Sequence, residues 1–181
     1  MLTDMYQLTM CYAYWKAGRH ELDSSFELFF RKPPFGGEVS RSGSAMNLSE
    51  FERIWTHASS SFILSITVMS GLDQVLSFLH NFKFTSSDLS YIKQLIPDAP
   101  PSFFTYLSSL TCSSLTVESI PQGTLVFPRI PLLTIKGPLG ICQLLETTLL
   151  TLINYPCLVT TNAARFRIAA GEDKVLLEVT N

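Results

Sequence analysis

Four side chains carry the chemistry worth weighing in this sequence: Asp4 and Tyr6 near its start, and Asn162 and Arg165 near its end. Asp4, Tyr6 and Arg165 also have ordinary structural readings. A carboxylate at position 4 suits the N-terminus of a helix, where it accepts backbone N–H bonds and meets the favourable end of the dipole. A tyrosine at position 6, taken alone, is more often core than ligand contact. Arg165 and Arg167 near a helix C-terminus would act as dipole-stabilising surface cations. The segment Phe35 to Glu38 (FGGE) is too short for a phosphate loop and lacks the following Lys and Ser/Thr, so it reads as a turn. Cys11, Cys112, Cys142 and Cys157 are widely spaced, with no C-x-x-C pair and no His at ligand spacing. That pattern suggests neither a zinc site nor a disulfide framework, and points to reduced, intracellular thiols.

Composition narrows the class. With 46% hydrophobic and 15% charged residues in 181, the chain can bury a sizeable core. A formal charge of -2, with Lys and Arg spread thinly, gives no basic stripe for nucleic acid. Met1 to Met10 lacks the basic start and apolar run of a signal peptide. The greasiest stretch, Leu139 to Thr161, holds Glu146, Asn154 and Pro156, which are costly in a bilayer and ordinary in a buried helix. A soluble, cytosolic protein with no membrane partner is expected.

The elements that must position these residues follow from periodicity. Thr3 to Ala17 places Met5, Leu8, Cys11, Tyr12 and Trp15 at helical spacing, capped by Thr3 or Asp4 and stopped at Gly18. Ser25 to Arg31 alternates as a strand before Pro33, Pro34, Gly36 and Gly37 break it. Thr67 to Met69 reads as a strand and Ser70 to Phe82 as a helix with Leu72, Val75, Leu76 and Leu79 on one face. Ser86 or Ser87 caps a helix over Asp88 to Leu95, and Pro101 or Ser102 opens another. Leu115 to Ile120, Thr124 to Phe127 and Leu132 to Lys136 read as short strands of one small antiparallel or mixed sheet. Leu139 to about Ala170 reads as a long helix, kinked or broken near Pro156 and stopped at Gly171, with a strand beginning at Val175.

The stretches LTDMYQLTMCYAYWKAGRH (Leu2 to His20), FELFFRKPPFGGE (Phe26 to Glu38) and QLLETTLLTLINYPCLVTTNAARFRIAAG (Gln143 to Gly171) resemble, in order, the N-terminal region of nicotinate phosphoribosyltransferases. SGLDQVLSFL, FFTYLSSL and IPQGTLVFPRIPLLTIKGPL extend the likeness to nearly the whole chain outside Val39 to Ile66. The resemblance implies an α/β protein: an α+β N-terminal domain of a type II phosphoribosyltransferase over 1–140, a small sheet with packed helices. Residues 141–181 would then be a helical linker into an α/β barrel that is mostly missing.

The resemblance also implies the activity: nicotinate joins phosphoribosyl pyrophosphate, with ATP hydrolysis coupled through a phosphorylated histidine, giving nicotinate mononucleotide for NAD synthesis. Mg²⁺ and ATP are the expected cofactors of the full-length enzyme, and a homodimer its expected assembly. Tyr6 of the L-T-D-x-Y motif is expected to line the base pocket, with Asp4 beside it, both reaching across the dimer interface. Asn162 and Arg165 of T-N-A-A-R are expected to face the substrates. None of His20, His57 and His80 stands in the phosphoacceptor context, so no catalytic residue is assigned and the chain alone is expected to be inactive. FELFFRKPPFGGE and NAARFR favour nicotinate over nicotinamide or quinolinate.

Two departures stand out. Glu38 and Thr67, adjoining in the family, are separated here by 28 residues (39 to 66 inclusive), Ser-rich and without a period. The expectation is a flexible excursion, or retained intron read in frame, since Val39-Ser40 can be encoded by the splice-donor-like GTAAGT. Val179-Thr180-Asn181 replaces the paired arginines that open the barrel, leaving an expected strand without a partner and reduced solubility or dependence on a partner chain. Two other readings stay open: a non-catalytic fragment that pairs with a full-length subunit, and a gene-model artefact.

Overall fold

The computed structural model describes residues 3–32, 67–171 and 173–177. The expected excursion over 39–66, the FGGE turn, His57 and the residues from 178 onward lie outside the described residues. Among the described residues, five helices and five strands run α1 (Met5–Lys16), β1 (Asp23–Leu28), β2 (Thr67–Val68), α2 (Leu72–Asn81), α3 (Ser86–Leu95), α4 (Pro101–Ser109), β3 (Thr116–Ser119), β4 (Leu125–Val126), β5 (Leu133–Pro138) and α5 (Leu139–Ala170). This is the mixed α/β architecture expected, and it divides into two compact units. The first comprises Met1–Leu28, Asp73–Ser119 and Leu133–Leu152, and the second Phe29–Leu72, Ile120–Leu132 and Ile153–Asn181.

In the first unit β5 is the central strand of a three-stranded antiparallel sheet, order β1-β5-β3. Its register sets Asp23 opposite Pro138 and Leu28 opposite Leu133 on one side, and Thr116 opposite Lys136 on the other. Helices α1 and α4 meet through aromatic rings: Phe103, wholly buried, lies 4.8 Å from Tyr12 and 5.4 Å from Trp15 by ring centroids. His20 stands edge-on to Tyr106 at 4.7 Å. Burial beside this cluster pushes the Cys11 thiol up to about 12.

In the second unit β2 and β4 form a two-stranded antiparallel pair. Val68, Leu125 and Phe127 make its core, with Ala164 and Ile168 of the rear half of α5 packed on them. Thr161, almost wholly buried, ties helix to strand: its Oγ1 accepts the Val68 N–H at 2.9 Å and donates back to the Cys157 carbonyl.

Several expectations shift. The β1 alternation holds but the strand starts two residues earlier and ends at Leu28, because its antiparallel partner β5 begins opposite it at Leu133. On α2 the inward face is Val75 and Leu79, while Leu76 is 48% exposed, one helical step off that stripe. Helix α3 begins at Ser86 under a Thr85 cap, not Ser86 or Ser87. The three later strands do not share one sheet, since β4 pairs with β2. Helix α5 passes through Pro156 without a break. Residues 175–177 form no strand. Gly18 and Gly171 do stop their helices, with φ of +68° and +74° that only glycine takes cheaply.

Two stability predictions follow from this packing. A Cβ on Gly140 would fall inside the van der Waals contact of the Tyr106 hydroxyl and 3.2 Å from His20 Cβ. Gly140→Ala is expected to destabilise by about 1–3 kcal/mol, and adding Tyr106→Phe to recover much of it, read from denaturant midpoints. Thr85 N–H and Oγ1 both donate to Asp88 Oδ2, at 2.8 and 2.6 Å, and these bonds hold the Asp88 carboxyl at about 2. A depressed folded value stabilises above the unfolded pKa of about 3.9 and is lost as pH falls toward about 2. Asp88→Asn should therefore lower the melting temperature near neutrality and flatten its fall below about pH 4, as melts across that range would report.

Candidate functional site

The start of α1 is fixed before its side chains are presented. Asp4 is the N-cap residue with extended backbone, and its N–H donates to Gln7 Oε1 at 2.9 Å. Gln7 is wholly buried, and the same Oε1 takes the Thr3 hydroxyl at 2.7 Å. The Thr3 hydroxyl also stands 3.2 Å from the Leu144 carbonyl of α5. D-x-x-Q is the capping-box spacing, a signal in the sequence that marks Gln7 as well as Asp4.

Asp4 does more than sit at a cap. Its Oδ2 accepts the Thr147 hydroxyl of α5 at 2.8 Å. Tyr6, 46% exposed, is not core. Burial raises its phenol, and the Glu146 carboxylate adds to that by accepting a hydrogen bond and by its charge, with the Thr147 hydroxyl opposing. Glu146 is itself held by Gln143 Nε2 at 2.9 Å. The expected residues Asp4 and Tyr6 therefore come together, and they come together with Glu146 and Thr147, which sequence reasoning missed as site residues. Their signal was a polar Glu-Thr pair inside an otherwise apolar helical run, where Glu146 was singled out only as costly in a bilayer and Thr147 was not singled out at all.

Beside this edge a cavity of about 310 Å³ opens between α1 and α3. Leu8 and Ile92 line it with Met5 and Tyr91, and Asp4 and Asp88 stand among them. Apolar walls with two carboxylates disfavour phosphate and suit neutral or cationic groups.

Asn162 and Arg165 lie in the second unit, three residues apart and so on one face of α5. Asn162 lines a cavity of about 520 Å³ with Val159, Phe166, Leu176 and Leu177, an amide in an apolar wall. Arg165 is half-buried. Arg167 has the ordinary role: its Nη1 donates to the Gly171 and Lys174 carbonyls at 3.1 and 2.7 Å, closing the helix C-terminus. Thr161, first residue of the T-N-A-A-R motif, is structural. Among the described residues no three His, Cys, Asp or Glu side chains gather as a metal site. No described helix is long and apolar enough to cross a membrane.

Residues 1–154 match the family model described as nicotinate phosphoribosyltransferase (NAPRTase) N-terminal domain. The chain is 47% identical over 179 residues to the nicotinate phosphoribosyltransferase of Caenorhabditis elegans, covering 98% of this chain and 27% of that protein. It is 41% identical to the Homo sapiens protein of the same name, covering 99% of this chain and 28% of the relative. In structure it is similar to human nicotinic acid phosphoribosyltransferase, with a TM-score of 0.76 at 40% identity, over 96% of this chain and 30% of that one. The chain thus spans little more than a quarter of the length of these curated relatives.

The electrostatics of the α1 edge are directly measurable. With ¹³C-labelled tyrosine, Tyr6 is expected to titrate above an ordinary tyrosine, and Glu146→Gln to bring it back down, because the neutral amide removes the carboxylate's charge. An unchanged Tyr6 titration in that variant would contradict the placement of Glu146.

Proposed function

The chain belongs to the nicotinate phosphoribosyltransferase family, matching its N-terminal domain, and from that premise we propose that it is the front segment of an enzyme joining nicotinate to phosphoribosyl pyrophosphate. The product would be nicotinate mononucleotide, for NAD synthesis. The observation that supports this most is the exposed Asp4–Tyr6 edge pinned by α5 within the matched segment.

In this reading the Tyr6 ring packs on the flat pyridine ring, a large contact at small entropic cost. Asp4 stands beside it and orders the polar edge. Arg165, with the Asn162 amide one turn away, offers a cation and hydrogen-bond donors to anionic substrate groups. Asp4 and Tyr6 serve a partner subunit's site in a homodimer. The phosphate cradles, the phosphorylated histidine, Mg²⁺ and ATP belong to the remainder of the protein. Residues 1–140 then form the α+β domain and 141–181 lead toward an α/β barrel. The setting is the cytosol. A second reading, in which the 181-residue chain pairs with a longer subunit without turning over substrate itself, is favoured by the exposed Tyr155 (67%), Phe166 (64%) and Leu177 (86%).

The test is formation of nicotinate mononucleotide from nicotinate, phosphoribosyl pyrophosphate, ATP and Mg²⁺. A polypeptide extending this segment to the length of its relatives should turn over, and the 181-residue chain alone should not. Tyr6→Ala in the longer protein should raise KM for nicotinate on the order of ten-fold, the loss of about 1.4 kcal/mol of ring contact. Absence of turnover in the longer protein overturns the proposal. Co-expression of the short chain with a longer subunit, giving neither a heterodimer nor a change in activity, removes the second reading.

A further inference from the structure

Serines and threonines inside these helices mostly turn their hydroxyls back to a carbonyl three or four residues earlier, the usual local solution. Ser90 bonds to the Ser86 carbonyl at 2.9 Å, Thr105 to that of Pro101 at 3.2 Å and Thr151 to that of Thr147 at 3.0 Å. Thr161 does the same to Cys157. Thr147 departs from this. Its hydroxyl leaves its own helix and donates to the Asp4 carboxylate, 143 residues away in sequence.

The surroundings make that bond directional. Gln7 holds the Asp4 main chain from below through the 2.9 Å bond to its N–H, so the carboxylate is the part of Asp4 left to be oriented. One turn of α5 then bears on the start of α1: Thr147 holds Asp4, and Glu146, fixed by Gln143, raises the Tyr6 phenol. A hydrogen bond to a charged acceptor is among the stronger kinds, and here it fixes a side chain whose backbone is already fixed.

We propose that Thr147 is a positioning residue: through its hydroxyl it sets the orientation of the Asp4 carboxylate and, with it, the edge that Asp4 and Tyr6 present to substrate. This rests on the reading of Asp4 and Tyr6 as substrate-facing residues. Thr147 itself touches no substrate in the proposal.

Thr147→Val keeps the shape of the side chain and deletes only the donor. In the longer protein that turns over, it should raise KM for nicotinate on the order of ten-fold with kcat changed less than two-fold, and Thr147→Ser should restore KM. Asp4→Ala and Thr147→Val should be non-additive on KM, each removing the same hydrogen bond. In the 181-residue chain, the ¹³C-labelled Asp4 carboxylate should shift in Thr147→Val and return in Thr147→Ser, a readout independent of activity. A lowered melting temperature with unchanged KM and unchanged Asp4 carboxylate resonance would make Thr147 merely structural and overturn the proposal. If Tyr6→Ala leaves KM unaltered as well, the reading of the site has failed. If Tyr6→Ala raises KM and Thr147→Val does not, only the positioning role has.

Discussion

The junction between β5 and α5 governs the first unit. β5 is hydrogen-bonded on both sides and passes into α5 without an intervening loop, so the sheet register sets where the helix begins. The first N–H groups of a helix have no partner within it. Here the chain between α1 and β1 supplies two: Leu139 N–H donates to the Leu22 carbonyl and Gly140 N–H to that of His20, both at 2.9 Å. The approach is close enough that residue 140 has no room for a side chain against Tyr106. With α5 started there, the turn carrying Gln143, Glu146 and Thr147 falls opposite the start of α1. The Asp4–Tyr6 edge is thus a consequence of strand register, a missing Cβ and two loop carbonyls.

What the sequence disclosed about the fold was local. Helix starts and stops at Asp4, Gly18, Pro101 and Gly171 depend on caps, φ preferences and proline, all of which act within a few residues. Pairing is not local. Leu125 and Val126 read like the strands on either side of them, and only the folded chain assigns them to Thr67 and Val68 rather than to β5. Leu76 failed for a related reason: on a helix wheel it adjoins the apolar stripe, and whether a neighbour covers it is decided by packing. The Thr85–Asp88 capping box was legible as T-x-x-D but lost to two adjacent serines with equal cap propensity.

The same distinction runs through the candidate site. Asp4 and Tyr6 stand in a compact motif, so their pairing on one turn was readable. Thr147 and Glu146 were not, because what gives them a role is a contact across most of the chain, and neither residue type announces it. Within T-N-A-A-R the helix divides the motif. Thr161 and Ala164 turn toward β2 and β4, and Asn162 toward a cavity. A motif read as a unit therefore mixes a structural hydroxyl with candidate ligand contacts, and only helical phase separates them.

Charge sign limits what the α1 edge can do in the proposed reaction. Asp4, Glu146 and Asp88 all lie on or near it, and the hydrogen bonds that orient them satisfy oxygens without removing negative charge. Pyrophosphate would be repelled there, more strongly as water is excluded. A ring held by Tyr6, or sugar hydroxyls donating to a fixed carboxylate, meets no such penalty. A phosphate-binding site needs cations and N–H donors, and of the residues proposed to face substrate Arg165 and Asn162 are the ones that carry them. An orienting carboxylate serves best when it is itself immobile, because an ordered acceptor pays no reorganisation cost as substrate arrives. That is the physical value of a threonine that gives its hydroxyl to Asp4 instead of to its own helix.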